Sequence, residues 1–236
     1  MILKALISLG RGAVATVAII LAATAIAVAG SPISPPRTTS AVASPDDPLQ
    51  LVKSGLQEAI AIFQDKALSL SVRREKLREA AARYFDFAYM ARSALGPHWR
   101  ELTPAQRNEF VPLFTTFIEE VYLSKVKDYS VEKVQDEVKS AKIQFVRESY
   151  DGPDYAKVYS TVALKEHPNP IQVDYLLKKD EDGWRVYDIT LDAISVMANY
   201  RNQFNRVINN DGYDKLIADL RAKSEQLGAH TANQSQ

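Results

Sequence analysis

The chain has 236 residues, 29 basic and 29 acidic side chains, 46% apolar residues and no cysteine. That length and apolar share fit one domain, or two at most, with a sizeable core. The lack of cysteine excludes disulfides, thiolate metal sites, thiol catalysis and acylation of an N-terminal cysteine, and the charge balance argues against nucleic acid as a partner.

Lys4 and Arg11 precede an apolar run from Ala13 to Ala29 that ends in Ala27-Val28-Ala29 before Gly30. This is the charged, apolar, small-residue order of a secretory signal, expected over residues 1–29 with cleavage after Ala29. An uncleaved inner-membrane anchor and a later cleavage after Ala43 are the competing readings. Removal of the leader takes Lys4 and Arg11 with it, leaving 27 basic against 29 acidic residues and a net charge of −2. Residues 30–47, rich in Pro, Ser, Thr and Ala, are expected to be a disordered spacer.

The folded domain is expected over residues 48–224, followed by a disordered tail at 225–236. Asp47 and Pro48 open a helix in which Leu49, Val52, Leu56, Ala59, Ile60 and Phe63 recur at helical spacing to about Gln64. A second helix is expected from about Val72 to Phe85. A third runs from Phe87 to Leu95, capped by Asp86 and stopped by Gly96-Pro97. Thr103-Pro104-Ala105-Gln106 is a capping box that opens the longest helix, to about Lys127, with a kink expected at Pro112.

After Tyr129 the period turns from helical to alternating. Ala141, Ile143 and Phe145 face one way, then Val158, Val162 and Leu164 beyond the Asp151-Gly152 turn. Ile171, Val173, Tyr175 and Leu177 follow, and then Tyr187, Ile189 and Leu191. This predicts a four-stranded antiparallel meander with one apolar face. Met197, Tyr200, Phe204, Val207 and Ile208 share a face of the next helix, and Leu216, Ile217 and Leu220 a face of the last. A sheet with one apolar face buries it under helices, so the fold class is α+β, with helices packed over a curved meander.

Catalytic patterns are poor. There is no Gly-x-Ser-x-Gly elbow, phosphate-cradling loop or His-Glu-x-x-His, and His98, His167 and His230 read as exposed loop residues. The best acid–base candidates, Asp174 and Asp188, alternate away from the apolar face and read as solvent-facing. Arg73, Arg74, Lys76, Arg78 and Arg83 interleave with Glu75 and Glu79, which favours a solvated, salt-bridged face over a membrane or partner patch.

Several short stretches nevertheless occur in an informative order: Phe85-Asp86-Phe87, Ala94-Leu95-Gly96, Trp99-Arg100, Thr103 to Arg107, Gly183 to Asp188, Asn199 to Phe204 and Gly212 to Ile217. From about Leu49 to about Lys223 the chain resembles the MlaC, or toluene-tolerance auxiliary, family. One departure is Ala193, which stands where relatives carry Gly, at a turn suited to glycine's freedom.

The resemblance implies a monomeric periplasmic carrier of phospholipid, with an inner-membrane ABC transporter complex and an outer-membrane lipoprotein complex as partners. It implies no cofactor besides the lipid cargo, no metal and no catalysis. An enzyme acting on a small apolar substrate, or an exported interaction module with a filled core, are the alternatives. Exposing two acyl tails of ~15 carbons costs on the order of 25 kcal/mol at ~0.8 kcal/mol per methylene, so a carrier buries both. The cavity is therefore expected at or above the top of the usual ~300–1,000 Å³ range. The side chains expected to hold the tails are Met90, Phe110, Phe114, Phe117, Ile118, Val121, Val158, Val162, Val173, Tyr175, Tyr187, Ile189, Met197, Tyr200 and Phe204.

Overall fold

A computed structural model describes residues 47–128, 141–164 and 168–232. The expected leader, the spacer as far as residue 46, His167 and the last four residues lie outside the described residues.

Four helices come first, and their ends follow from their caps. Asp47 accepts the Gln50 N–H at 3.0 Å and Pro48 takes the first position of α1, Pro48–Gln64. Ser69 caps α2, Leu70–Tyr84, which therefore starts two residues before Val72. Asp86 accepts from the Tyr89 N–H at 2.8 Å to open α3, Phe87–Leu95. Gly96 ends α3 at φ 57°, and a β-carbon there would meet Arg201 Cδ at 2.6 Å, so both the backbone and the packing call for glycine. A 3₁₀ turn, Gly96–Arg100, leads to α4, Pro104–Asp128. Thr103 and Gln106 exchange the expected reciprocal capping bonds, and α4 continues through Pro112.

The strands are β1 (Lys142–Asp151), β2 (Tyr155–Ala163), β3 (Ile171–Asp180), β4 (Gly183–Leu191) and β5 (Ile194–Ser195), paired antiparallel in sequence order. The expected meander of four thus gains a two-residue fifth strand. Its turn places Asp192 at φ 46° and Ala193 at φ 66°, the double left-handed geometry of a tight hairpin. The turn forms without the family's glycine because Asp192 is held from both sides. Its N–H donates to the Gln172 carbonyl at 2.9 Å, and its carboxylate accepts the Gln172 N–H at 3.0 Å.

Two bulges interrupt the alternation, at Val146 in β1 and Tyr187 in β4. Leu176 pairs with Asp188 but Leu177 pairs with Val186, so Tyr187 is an extra residue. Alternation resets there. Trp184 and Val186 join Ile189 on the buried sheet face, while Tyr187 turns away toward the helices. The expected grouping of Tyr187 with Ile189 and Leu191 is corrected accordingly.

Helix α5, Val196–Asp211, begins at Ser195, whose hydroxyl accepts the Ala198 N–H at 2.8 Å. Helix α6, Tyr213–Ala232, runs past the boundary expected at residue 224. The interior divides into two clusters. One joins α3, α4, α5 and α6 around Phe110, Phe114, Phe117, Tyr200 and Phe204, whose ring centroids lie 5.8–6.4 Å apart where neighbouring rings meet. The other seats Leu51, Val52 and Leu56 of α1 on Val158, Val162, Val173, Tyr175, Leu177 and Ile189 of the sheet.

Candidate functional site

A cavity of about 160 Å³ lies where these clusters meet. Helix α1 contributes Leu51, Leu56 and Phe63, and α2 contributes Leu77, Ala81 and Tyr84. Helix α4 adds Ile118 and Tyr122, the sheet Tyr175, Val186 and Ile189, and the chain around α3 and α5 adds Phe87, Met90 and Met197. Gly55 also lines it, and a β-carbon there would meet the Tyr84 ring at 3.0 Å, so α1 and α2 pack closely along one wall.

Of the side chains expected to hold lipid, Met90, Ile118, Tyr175, Ile189 and Met197 come together in this wall. Phe110, Phe114, Phe117, Tyr200 and Phe204 pack against one another in the helical cluster, with Val121 at its edge. Val158, Val162 and Val173 are fully enclosed in the sheet-side cluster. Tyr187 stacks edge-on with Tyr89 and Tyr155, at centroid distances of 4.9 and 6.2 Å. The cavity is far smaller than the size expected, at or above the top of the ~300–1,000 Å³ range, because those aromatic rings fill a core of their own. Sequence reasoning missed the wall from α1 and α2. The apolar period of α1 was plain, but nothing in it distinguishes a face toward a cavity from a face toward a core.

The polar groups in the wall are few. Burial pushes the Tyr122 phenol up to about 12, and Tyr122 shares a hydrogen bond with Tyr200. Burial raises the Tyr175 phenol further, so it stays neutral, and its hydroxyl has no hydrogen-bond partner among the described residues. Ser160, beside it, donates instead to the Val173 carbonyl at 2.7 Å.

The charged side chains of the wall are Arg78 and Glu119, and they belong to a network that corrects the reading of α2 as a solvated face. Arg73 and Arg74 are buried. Arg73 donates to the Asp65 and Ile62 carbonyls, at 2.7 and 3.3 Å, and so ties down the end of α1. Arg74 Nη2 lies 2.8 and 3.1 Å from the two carboxylate oxygens of Glu120. Arg78 reaches Glu120 at 2.5 Å, Glu75 at 3.2 Å and Glu119 at 3.4 Å. Burial raises the Glu119 carboxyl pKa, and Arg78 only partly offsets that.

Asp174 and Asp188 are not solvent-facing. Asp174 is 1% exposed, paired with Lys157 Nζ at 2.9 Å and bonded by Gln172 and Thr190. Asp188 is 7% exposed and accepts from the Ile189 N–H, the Met197 N–H and the Ser195 hydroxyl. It fixes β4 to the start of α5, and desolvation holds its pKa above 3.8 despite those donors. Partner chemistry covers both carboxylates in a way that alternation alone does not anticipate. His98 is also less open than expected. Its ring lies 2.8 Å from Asn205 and 3.2 Å from Glu101, with the side chain 14% exposed. Among the described residues, no group of three or more His, Asp or Glu could hold a metal ion.

Residues 53–222 match the family described as MlaC protein. The chain belongs to the MlaC family. One curated relative, the intermembrane phospholipid transport system binding protein MlaC of Haemophilus influenzae, is 23% identical over 145 residues, 61% of this chain. The match spans 64% of that relative's length. A solved structure, a phospholipid-binding protein from Ralstonia solanacearum in complex with a phospholipid, is 22% identical with a TM-score of 0.60. The similarity covers 75% of this chain and 97% of that one, so the two share a fold over most of the described residues. No helix among them is long and apolar enough to cross a membrane.

Proposed function

We propose that this protein is a periplasmic phospholipid carrier that moves lipid between an inner-membrane ABC transporter complex and an outer-membrane lipoprotein complex, working as a monomer. The observation that carries this reading is the apolar cavity at the seam of two separately packed clusters, with charged groups in one part of its wall only. Acyl chains gain about 0.8 kcal/mol per methylene on leaving water, and such a wall offers them little else than apolar contact. The relatives named for phospholipid transport and phospholipid binding support the same cargo, and the charged, apolar, small-residue order of residues 1–29 supports export.

A cavity of about 160 Å³ is below the usual ~300–1,000 Å³ of ligand pockets, so loading requires the seam to widen. Parting α1 and α2 from α4 and the sheet would enlarge it without disturbing the aromatic cluster. The phenylalanines of α4 and α5 would then hold one wall rigid rather than contact the tails. With no energy source of its own, the carrier moves lipid down whatever gradient its docking partners maintain, by differing stability of its loaded and empty states. Catalysis gains no support from the site, because the oxygens of Asp188 are engaged by the start of α5 and the residue is not in the cavity wall.

Mass spectrometry of organic extracts from the purified protein tests the reading. Near-stoichiometric phospholipid is expected, and a protein that extracts lipid-free and takes none from vesicles is not a carrier.

A further inference from the structure

Resting on the carrier reading, we propose that Arg78 and Glu119 form a head-group site selective for phospholipids whose phosphodiester carries an ammonium group, against those with a net negative head. These two are the charged side chains in the cavity wall, and they are partly exposed, at 31% and 17% of their side chains. Glu75, which pairs with Arg78 at 3.2 Å, is 62% exposed, which puts Arg78 where the cavity meets solvent.

The two charges are held differently. Glu120 anchors the Arg78 guanidinium at 2.5 Å and is itself held by the buried Arg74. Glu119 makes the longest of the Arg78 contacts, at 3.4 Å, and Arg78 is the cation that faces it. Glu120 is held by two arginines and Glu119 by Arg78 alone among the described residues, and burial raises the Glu119 pKa more than Arg78 lowers it. Counted when ionised and among the contacts of the described residues, Arg74 and Arg78 stand against Glu75, Glu119 and Glu120, one negative charge in excess.

A phosphate meeting the outer side of Arg78 competes with Glu119 in a field that is already negative. An ammonium two carbons further along the same head group replaces Arg78 as the partner of Glu119, so the cluster's excess stays at one negative charge. A phosphoglycerol head brings the phosphate without the cation, raises that excess to two and draws Arg78 away from Glu119 with nothing in its place. Selectivity arises from that unpaired charge more than from added attraction.

The test uses the delipidated full-length mature protein and vesicles of equal phosphatidylethanolamine and phosphatidylglycerol with identical acyl chains. Mass spectrometry reads the ratio among bound lipids, which is independent of how much is loaded. The wild type is expected to enrich phosphatidylethanolamine roughly threefold over the vesicle, less so at high salt. Glu119→Gln should bring the ratio to that of the vesicle, and Glu119→Lys should invert it. A wild-type ratio equal to the vesicle's overturns the proposal without any variant, as does a preference that survives Glu119→Gln. Absence of both lipids overturns the carrier reading itself, and this site with it.

Discussion

Ile189 and Val162 lie on the same buried sheet face, but of the two it is Ile189 that reaches the cavity wall. Leaving 160 Å³ unfilled costs about 4 kcal/mol at ~24 cal/mol per Å³, the ceiling on what a filling group can return. In Ile189→Trp the indole enters that space, so gain from filling and strain at its edges largely cancel, and the lipid-free stability should change by less than about 1 kcal/mol. Val162 has 0% exposure and does not line the cavity, so Val162→Trp must displace neighbours at about 1–3 kcal/mol. For a domain of this size ~1 kcal/mol is ~2–4 °C in thermal midpoint. Midpoints are measured on delipidated samples, since bound lipid stabilises the folded state, and phospholipid per folded molecule is measured in parallel. Ile189→Trp is expected to cut bound lipid several-fold at a nearly unchanged midpoint, and Val162→Trp to lower the midpoint while leaving lipid per folded molecule nearly unchanged. The reverse pattern would refute the placement of the tails at the seam.

Three further outcomes follow from the buried polar groups and the strained turn. Glu120→Gln removes the buried carboxylate that Arg74 and Arg78 share and should cost about 3 kcal/mol, seen as a fall of roughly 6–12 °C in the lipid-free midpoint; a fall under ~2 °C would mean the pair is solvated. Ala193→Gly relieves a left-handed alanine at φ 66° and should stabilise the protein by about 1 kcal/mol, measurable in urea. Asp188→Asn should destabilise by about 1–2 kcal/mol through a weakened cap on α5, with phospholipid per folded molecule unchanged. Because the folded pKa of Asp188 lies above 3.8, its contribution is fully present below that value and is lost as pH rises through the raised folded pKa. The destabilisation caused by Asp188→Asn should accordingly be largest in acid and shrink toward neutrality, and a pH-independent difference would contradict the assignment.

Local signals in the sequence read well where a cap or a breaker acts alone. Asp86 and Gly96 fix both ends of α3, and Thr103 with Gln106 fixes the start of α4. Strand order was likewise legible, since each apolar alternation ends at a turn. Features that depend on a partner far along the chain were not. The bulge at Tyr187 breaks the period of two through its register with Leu176 and Leu177, and that register is invisible within β4. The burial of Arg73 and Arg74 depends on the end of α1 and on Glu120, 46 residues beyond Arg74. Phe110, Phe114 and Phe204 have the apolar helical spacing of cavity-lining residues, yet they pack against each other, and side-chain type cannot distinguish those fates.

Delipidation should also make the molecule softer to compression at the seam. Space of about 160 Å³ in each molecule amounts to roughly 100 mL per mole, and the volume change of unfolding scales with the part of such space that water does not fill. Hydrostatic pressure should therefore destabilise the empty protein strongly, while a molecule whose seam is occupied has less void to lose. Pressure midpoints would then report occupancy directly, independent of any label on the lipid.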